Sequence, residues 1–414
     1  MKQTFQSLSF IVLACSSLGC GGGLNVEPVA TGVQRPSQVA VYLSVRDDQR
    51  PVTDLTTGSF VVFEDGQQLD AGQVELTLLD RNVAATHHTV LLVDTSALGA
   101  ADAGGISRGV ELFAEKVSKS QSVGIYAFDG STQLRPLGKV ARGGSIDSSK
   151  TNGSDHAGAG PSRLQLAGLG AAPSDPSRDL NGALLRGLEE LDTALSGAER
   201  PVRVGTLVVF TRGPDLAGRV SAEQLDAALE RTHAALVTIS VGNGRGLRLD
   251  RMGRDGVVSV PTLTRVERAF EQGADRVAAL EHSHYLLAYC SPSRAGERKL
   301  RVEVRTLGAK GESVTGSFET AFDARGFSSG CDPKAAPQFV VTLAPGAEGP
   351  IPAALPQGVE PAAAPSAAPD AGTGEAEAAE KPAAPSGPPV APSKRRRPSK
   401  SRPPPDQPPS DFEP

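Results

Sequence analysis

The chain has 414 residues and a formal net charge of −5, with 46 glycines, 32 prolines, only 4% aromatic residues and no tryptophan. Hydrophobic residues make up 39%, enough for one sizeable core and a smaller one, with a good deal left over as non-globular chain. The mild acidity argues against a nucleic-acid-binding protein, so no nucleic acid is expected among its partners.

The N-terminus reads as a targeting segment. Lys2 supplies a positive start, and the apolar run over 5–14 is too short to span a bilayer as a mature helix. It ends in Ser17-Leu18-Gly19-Cys20, followed by Gly21-Gly22-Gly23. Small residues before a cysteine, after an apolar run, resemble the bacterial lipoprotein signal. That resemblance implies a signal region over 1–20, with Cys20 diacylated and serving as the membrane anchor. Ser17 stands where leucine is more usual, Cys15 is a second candidate for the lipid, and an ordinary cleaved secretory signal is the alternative. Gly21 is not the aspartate that retains such proteins at the inner membrane, so the expected location is the outer membrane of the cell envelope, with a secreted or periplasmic protein as the alternative.

After a linker over 21–35, residues 36–83 read as a small all-β segment. Val39, Val41, Leu43 and Val45 alternate on one face of a half-buried strand, and short apolar runs follow at 52–55, 60–64 and 74–79 between turn signals such as Asp65-Gly66. From residue 84 the pattern changes to strand–helix alternation. Strands are expected at 89–93, 122–128, 202–210, 235–241 and 285–289, and helices at 106–117, 180–195, 223–231 and 263–280. Extra strands follow residue 283, at 299–304 and 313–318. Residues 142–176, rich in Gly, Ser, Ala and Asp, read as a flexible insertion. The expected fold class is therefore α/β: a doubly wound, mainly parallel sheet over 84–325, with the flanking all-β segment and a tail. In an oxidising compartment Cys290 and Cys331 are candidates for a disulfide. Residues 335–414 are dominated by Ala and Pro and read as a disordered tail. Its basic run, Lys394, Arg395, Arg396, Arg397, Lys400 and Arg402, reads either as a simply solvated stretch or as a contact to anionic envelope polymer or lipid.

A strand ending in Asp94-Thr95-Ser96, a helix, a strand ending in Phe128-Asp129, and a later strand ending in Phe210-Thr211-Arg212-Gly213 together resemble a von Willebrand factor type A domain. The β segment ahead of it and the strand Tyr285-Leu286-Leu287-Ala288-Tyr289 behind it are similar to a bacterial subgroup of that family. The resemblance implies a metal-ion-dependent adhesion site built from Asp-x-Ser-x-Ser, a Thr from a later loop and the Asp of Thr-Asp-Gly, all oxygen ligands for Mg²⁺. Carried across, Asp94 and Ser96 match. Leu98 stands at the second Ser position, Arg178 in the best register for the Thr, and Arg212 at the last Asp. A guanidinium at contact distance repels Mg²⁺, so the site is expected to be degenerate and free of metal or other cofactor, with Arg212 paired directly to Asp94. Asp129, Asp179 and Asp215 are the residues from which a metal site would have to be rebuilt.

Enzymatic readings are weak. Gly105-x-Ser107-x-Gly109 has the spacing of a nucleophile elbow, but Ser107 falls ten or so residues after the strand rather than on the turn. His282-x-His284 and the adjacent His87 and His88 lack the further ligands of a zinc site. Gly242-x-Gly244-x-Gly246 lacks the Lys-Ser/Thr of a phosphate-binding loop. The expectation is a non-enzymatic, envelope-anchored protein that binds another protein or a surface polymer through its degenerate site. A structural tether acting through the basic tail is the alternative, and a hydrolase a distant third.

Overall fold

A computed structural model describes residues 23–96, 99–143, 166–170, 172–308 and 311–339. All lie in the first of two compact units, Met1–Pro352; the second is Ala353–Pro414. The signal region with Cys20, Leu98, most of the insertion and the basic run at 394–402 fall outside the described residues.

In chain order, β1 (Leu24–Gln34) and β2 (Gln38–Asp47) form an antiparallel hairpin, followed by β3 (Arg50–Pro51), β4 (Phe60–Glu64), β5 (Gln67–Gln68) and β6 (Thr77–Leu79). Then come β7 (Ala85–Asp94), α1 (Ala100–Val117), β8 (Ser122–Phe128), β9 (Arg135–Val140), α2 (Leu180–Ser196), β10 (Val202–Thr211), α3 (Ala222–Arg231), β11 (Ala235–Val241), α4 (Leu249–Met252), β12 (Gly256–Val260) and α5 (Val266–His282). The described chain closes with β13 (His284–Cys290), β14 (Glu297–Leu307) and β15 (Ser313–Asp323).

These strands build three sheets. One has the order β1-β2-β13-β6 with β3 on β2, the second β15-β14-β4-β5, and the third β12-β11-β10-β7-β8-β9. The first two are antiparallel throughout, and the third is mixed because β9 runs against β8. Among the described residues strand exceeds helix, 37% to 27%. The doubly wound, mainly parallel α/β fold expected from the sequence is therefore corrected: the chain is mostly β, in two antiparallel sheets and one mixed sheet. The reason is long-range pairing. The early segment is half of a two-sheet unit that β13, β14 and β15 complete from more than two hundred residues away. Leu24–Gln34, read as linker, is its first strand.

Val39, Val41, Leu43 and Val45 face Tyr285, Leu287 and Tyr289 of the same sheet and Val302, Val304 and Phe318 of the second in one apolar core. The opposite face of β2 is also covered. Ala40 and Tyr42 pack with Ala84, Ala85, Val202, Leu286 and Phe339, so the strand is buried on both sides rather than half-buried. This places the first sheet between the second sheet and the N-terminal ends of β7 and β10. Arg46 of β2 pairs with the buried Asp255 ahead of β12, and Arg276 of α5 donates to the carbonyls of Asp255 and Gln49, tying the sheets together.

Helices flank the mixed sheet on both faces, α1 and α5 on one and α2 and α3 on the other. Helices α1 and α5 approach closely at Gly109, where a Cβ would lie 2.4 Å from Phe270. Within the stretch read as an insertion, Leu166–Gly170 is a 3₁₀ helix whose Leu166 and Leu169 are buried in the core beside α1. No described helix is long and apolar enough to cross a membrane.

Cys290 and Cys331 form a disulfide, with their Cα atoms 5.8 Å apart. It pins the segment after β15 to the end of β13. The Gln38 side chain donates to the carbonyls of Asp332, Pro333 and Ala335, and the Gln34 side chain accepts from Gln338 N–H. Phe339 is buried against Gly32.

Candidate functional site

Four of the mixed sheet's strands deliver their C-terminal ends to one rim, where the loops after β7, β8, β10 and β11 gather. Asp94 is the last residue of β7 and is fully buried. A carboxylate without water needs its roughly four lone-pair positions filled by donors, and here they are. Oδ1 accepts from Ser96 N–H (3.0 Å) and Ser96 Oγ (2.5 Å). Oδ2 accepts from Arg178 Nε (2.6 Å) and the backbone N–H of Arg212 (3.0 Å), with Thr211 Oγ1 more distant at 3.4 Å. The direct ionic partner is thus Arg178 rather than Arg212, whose guanidinium stands 4.0 Å from Oδ1. Arg212 contributes chiefly its backbone donor, because it follows Thr211 at the end of β10. Burial lowers its pKa, the Asp94 charge opposes that, Arg178 adds to it, and Asp102 in the first turn of α1 again opposes it.

Arg178 fastens the rim as well as the carboxylate. Its Nη1 donates to Pro214 O (3.1 Å), and its own carbonyl accepts from Leu216 and Ala217 N–H, holding the loop after β10. The neighbouring aspartates are occupied by local donors. Asp129 accepts from Ser131 and Ser174 N–H, and these bonds hold its carboxyl below the usual range against the opposing effect of desolvation. Asp179 caps α2 at Gly182 N–H and pairs with Arg186, while Asp215 accepts from Asn181 and Gly218 N–H. In the loop after β11, Gly242, Gly244 and Gly246 all have positive φ (91°, 66° and 75°). This accounts for that motif as turn chemistry. Gly246 abuts Pro214, which brings the loop carrying Arg245 onto the same rim.

The divalent cation that the sequence resemblance implies does not fit this donor set. Every lone pair of Asp94 is taken by an N–H or O–H, and a guanidinium stands where a cation would have to approach. No group of three or more His, Cys, Asp or Glu poised for a metal occurs among the described residues. Two guanidiniums thus stand beside one buried carboxylate, Arg178 in direct contact and Arg212 at 4.0 Å.

The structure brings Asp94, Ser96, Arg178 and Arg212 together; Leu98 lies outside the described residues. Sequence reasoning missed Thr211 and Asp102. The first was legible as the residue before Arg212; the second carried no signal. Ser107 lies inside α1, away from any strand-to-helix corner. His282 ends α5 while His284 begins β13, so they share no strand face. His284 is buried edge-on to His87, whose Nε2 is 2.7 Å from Tyr42 Oη. Burial pushes His87 well below its ordinary value and His284 down to about 4. This cluster lies at the junction of two sheets, at the opposite end of β7 from Asp94.

No family model matches the chain, and no curated protein matches it. Among solved structures, it is similar to proximal thread matrix protein 1 from the mussel byssus, at 12% identity and a TM-score of 0.34. That likeness covers 49% of this chain and 50% of the other, and it is too loose to bear on fold or function.

Proposed function

We propose that this is an envelope-anchored, non-enzymatic binding protein, held to a membrane by a lipid on Cys20, that engages a protein or surface polymer through the rim around Asp94 without a bridging metal. The observation that carries the reading is the 2.6 Å ion pair from Arg178 Nε to the fully buried Asp94. In the type A sites that the local sequence resembles, a metal presents positive charge to a partner's carboxylate. Here the Arg178 guanidinium takes the metal's place beside Asp94, and guanidinium–carboxylate pairing needs no metal.

The test is thermal unfolding of residues 23–339 in EDTA and in excess Mg²⁺ or Mn²⁺. A ligand specific for the native state raises stability by about 2.7 kcal/mol at a hundredfold excess over Kd, so the expected result is no metal-dependent shift. The combined variant Leu98→Ser, Arg178→Thr, Arg212→Asp restores the oxygen ligands and is expected to gain one. A metal-dependent rise in the unaltered protein that Asp94→Ala abolishes would overturn the reading.

A further inference from the structure

Among the described residues the chain passes between the two-sheet unit and the mixed sheet twice, over 80–84 from β6 to β7 and at Ser283 from α5 to β13. Arg81 ties the two crossings together. It forms an ion pair with Glu281 of α5 (2.8 Å), and its Nη1 donates to the carbonyls of His282 and His284. Beside the crossings, one imidazole from each side meets the other. His87 of β7 and His284 of β13 stand edge-on with ring centroids 5.3 Å apart, His284 stacks on Tyr42 of β2, and Tyr42 Oη lies 2.7 Å from His87 Nε2. All three side chains are buried. The same seam holds the packing of Ala40 and Tyr42 on Ala84, Ala85, Val202 and Phe339, and the pair of Arg46 with Asp255. A cavity of about 410 Å³, lined by Asp80, Arg81, Asn82, His284 and Tyr285, lies alongside and gives water a way to the crossings.

We propose that this cluster is a pH-sensitive pivot: protonation of His87 and His284 parts the two-sheet unit from the mixed sheet along the seam, while each keeps its own strand pairing. The charged and titratable groups around the two rings come from every element packed there: Tyr42 and Arg46 on β2, Asp80 and Arg81 on the first crossing, Arg142 after β9, and Glu281 and His282 on α5. Arg276 of α5 and Asp255 lie next to Arg46. Arg46, Arg81 and Arg142 all oppose a further positive charge. The carboxylates that could balance one are engaged, Glu281 by Arg81 and His282, Asp80 by Asn82, and Asp255 by Arg46. A proton on either ring is therefore stranded while the seam is closed and hydrated once it opens. Burial holds His284 down to about 4 and His87 well below its ordinary value, whereas a hydrated imidazole titrates near 6.5. The open form takes up protons first, so opening is favoured as pH falls from about 6.5 to about 4. Between pH 7 and pH 5 the gain is roughly 20-fold from His284 alone, and His87 adds to it. Buried histidines at an interface are a general route to such switches.

The test is native-state thiol labelling of the full-length protein with a dipyridyl disulfide, which reacts at acid pH. Ala84→Cys places a thiol in the seam and Ala114→Cys one in the core of the mixed sheet, both at buried alanines. Labelling is located by peptide mass, and each rate is divided by that of the same site in the unfolded chain. The proposal expects relative labelling at 84 to rise roughly 20-fold or more from pH 7 to pH 5, to exceed that at 114, and to be insensitive to low urea that accelerates labelling at 114. His284→Gln is expected to remove most of the rise at 84. His88→Gln, whose imidazole bonds Ser122 within the mixed sheet, is expected to leave it in place. Equal labelling at 84 and 114 at pH 5 means global unfolding and overturns the pivot. So does labelling at 84 that is independent of pH, or a rise that survives His284→Gln and vanishes in His88→Gln.

Discussion

Replacing Arg178 with methionine removes the cation from a carboxylate that has no access to water. Asp94 keeps the Ser96 donors, the Arg212 backbone N–H and the Arg212 guanidinium at 4.0 Å, so one of four good donors and the nearest charge are lost. Breaking a buried pair from one side costs about 3–5 kcal/mol because the remaining charge is stranded; the second guanidinium places the expectation near the lower figure. The bond to Pro214 O and the packing that holds the 214–217 loop go with it. For a folded unit of this size the unfolding entropy is roughly 0.7 kcal/mol per kelvin, so the melting temperature is expected to fall by about 4–6 °C. Arg212→Met leaves its backbone N–H to Asp94 in place and is expected to cost less than Arg178→Met. Adding Asp94→Asn to Arg178→Met removes the stranded charge and is expected to restore part of the loss. The assay is calorimetry on the two single variants and the double. If Arg178→Met were neutral while Arg212→Met was severe, the assignment of Arg178 as the carboxylate's partner would be refuted.

The buried imidazoles make the fold acid-sensitive. Desolvation holds His88 and His284 down to about 4, whereas unfolded chains protonate near 6.5. The unfolded state therefore takes up protons first, and stability falls as pH drops from about 6.5 to about 4, by roughly 2 kcal/mol per imidazole at pH 5. Denaturant melts across that range should show the slope, and His88→Gln should flatten it. Cys331→Ser opens a loop of sequence separation 41 and is expected to cost about 4 kcal/mol by chain entropy, with faster amide exchange at residues 331–339. Gly109→Ala drives a methyl into the Phe270 ring and is expected to destabilise by about 1–3 kcal/mol, measured by the same melts, whereas Gly197→Ala, with open space around it, should be nearly neutral.

Local periodicity carried much of the reading of individual elements. The 3.6-residue spacing of Leu180, Leu184, Leu188, Leu191 and Leu195 is the buried stripe of α2. α1 begins at Ala100, earlier than its apolar spacing suggests, since Ala100–Gly105 offers no large side chain. β9 was hidden by its Pro136 and Gly138, and β1 by Pro28 at its register shift. The architecture was less legible. Pairing of β13 with β2, and of β14 with β4, joins segments whose own patterns specify a strand but not a partner. At the site, Asp94, Ser96, Arg178 and Arg212 were legible as departures from an oxygen-ligand motif, but which arginine meets the carboxylate depends on loop geometry. Arg212 is committed through its main chain, which no side-chain pattern encodes.

The strap that follows β15 has a mechanical meaning. A pull applied along the chain at Phe339 meets the Gln38 bonds and then the covalent link from Cys331 into Cys290 of β13, which lies between β2 and β6. The load bypasses the β14–β15 hairpin and enters the interior of the first sheet, whose edge strand β1, paired with β2, leads back toward the N-terminus. Tension between Leu24 and Phe339 is thus shared within one sheet, and the rim around Asp94, hung from another, is spared it.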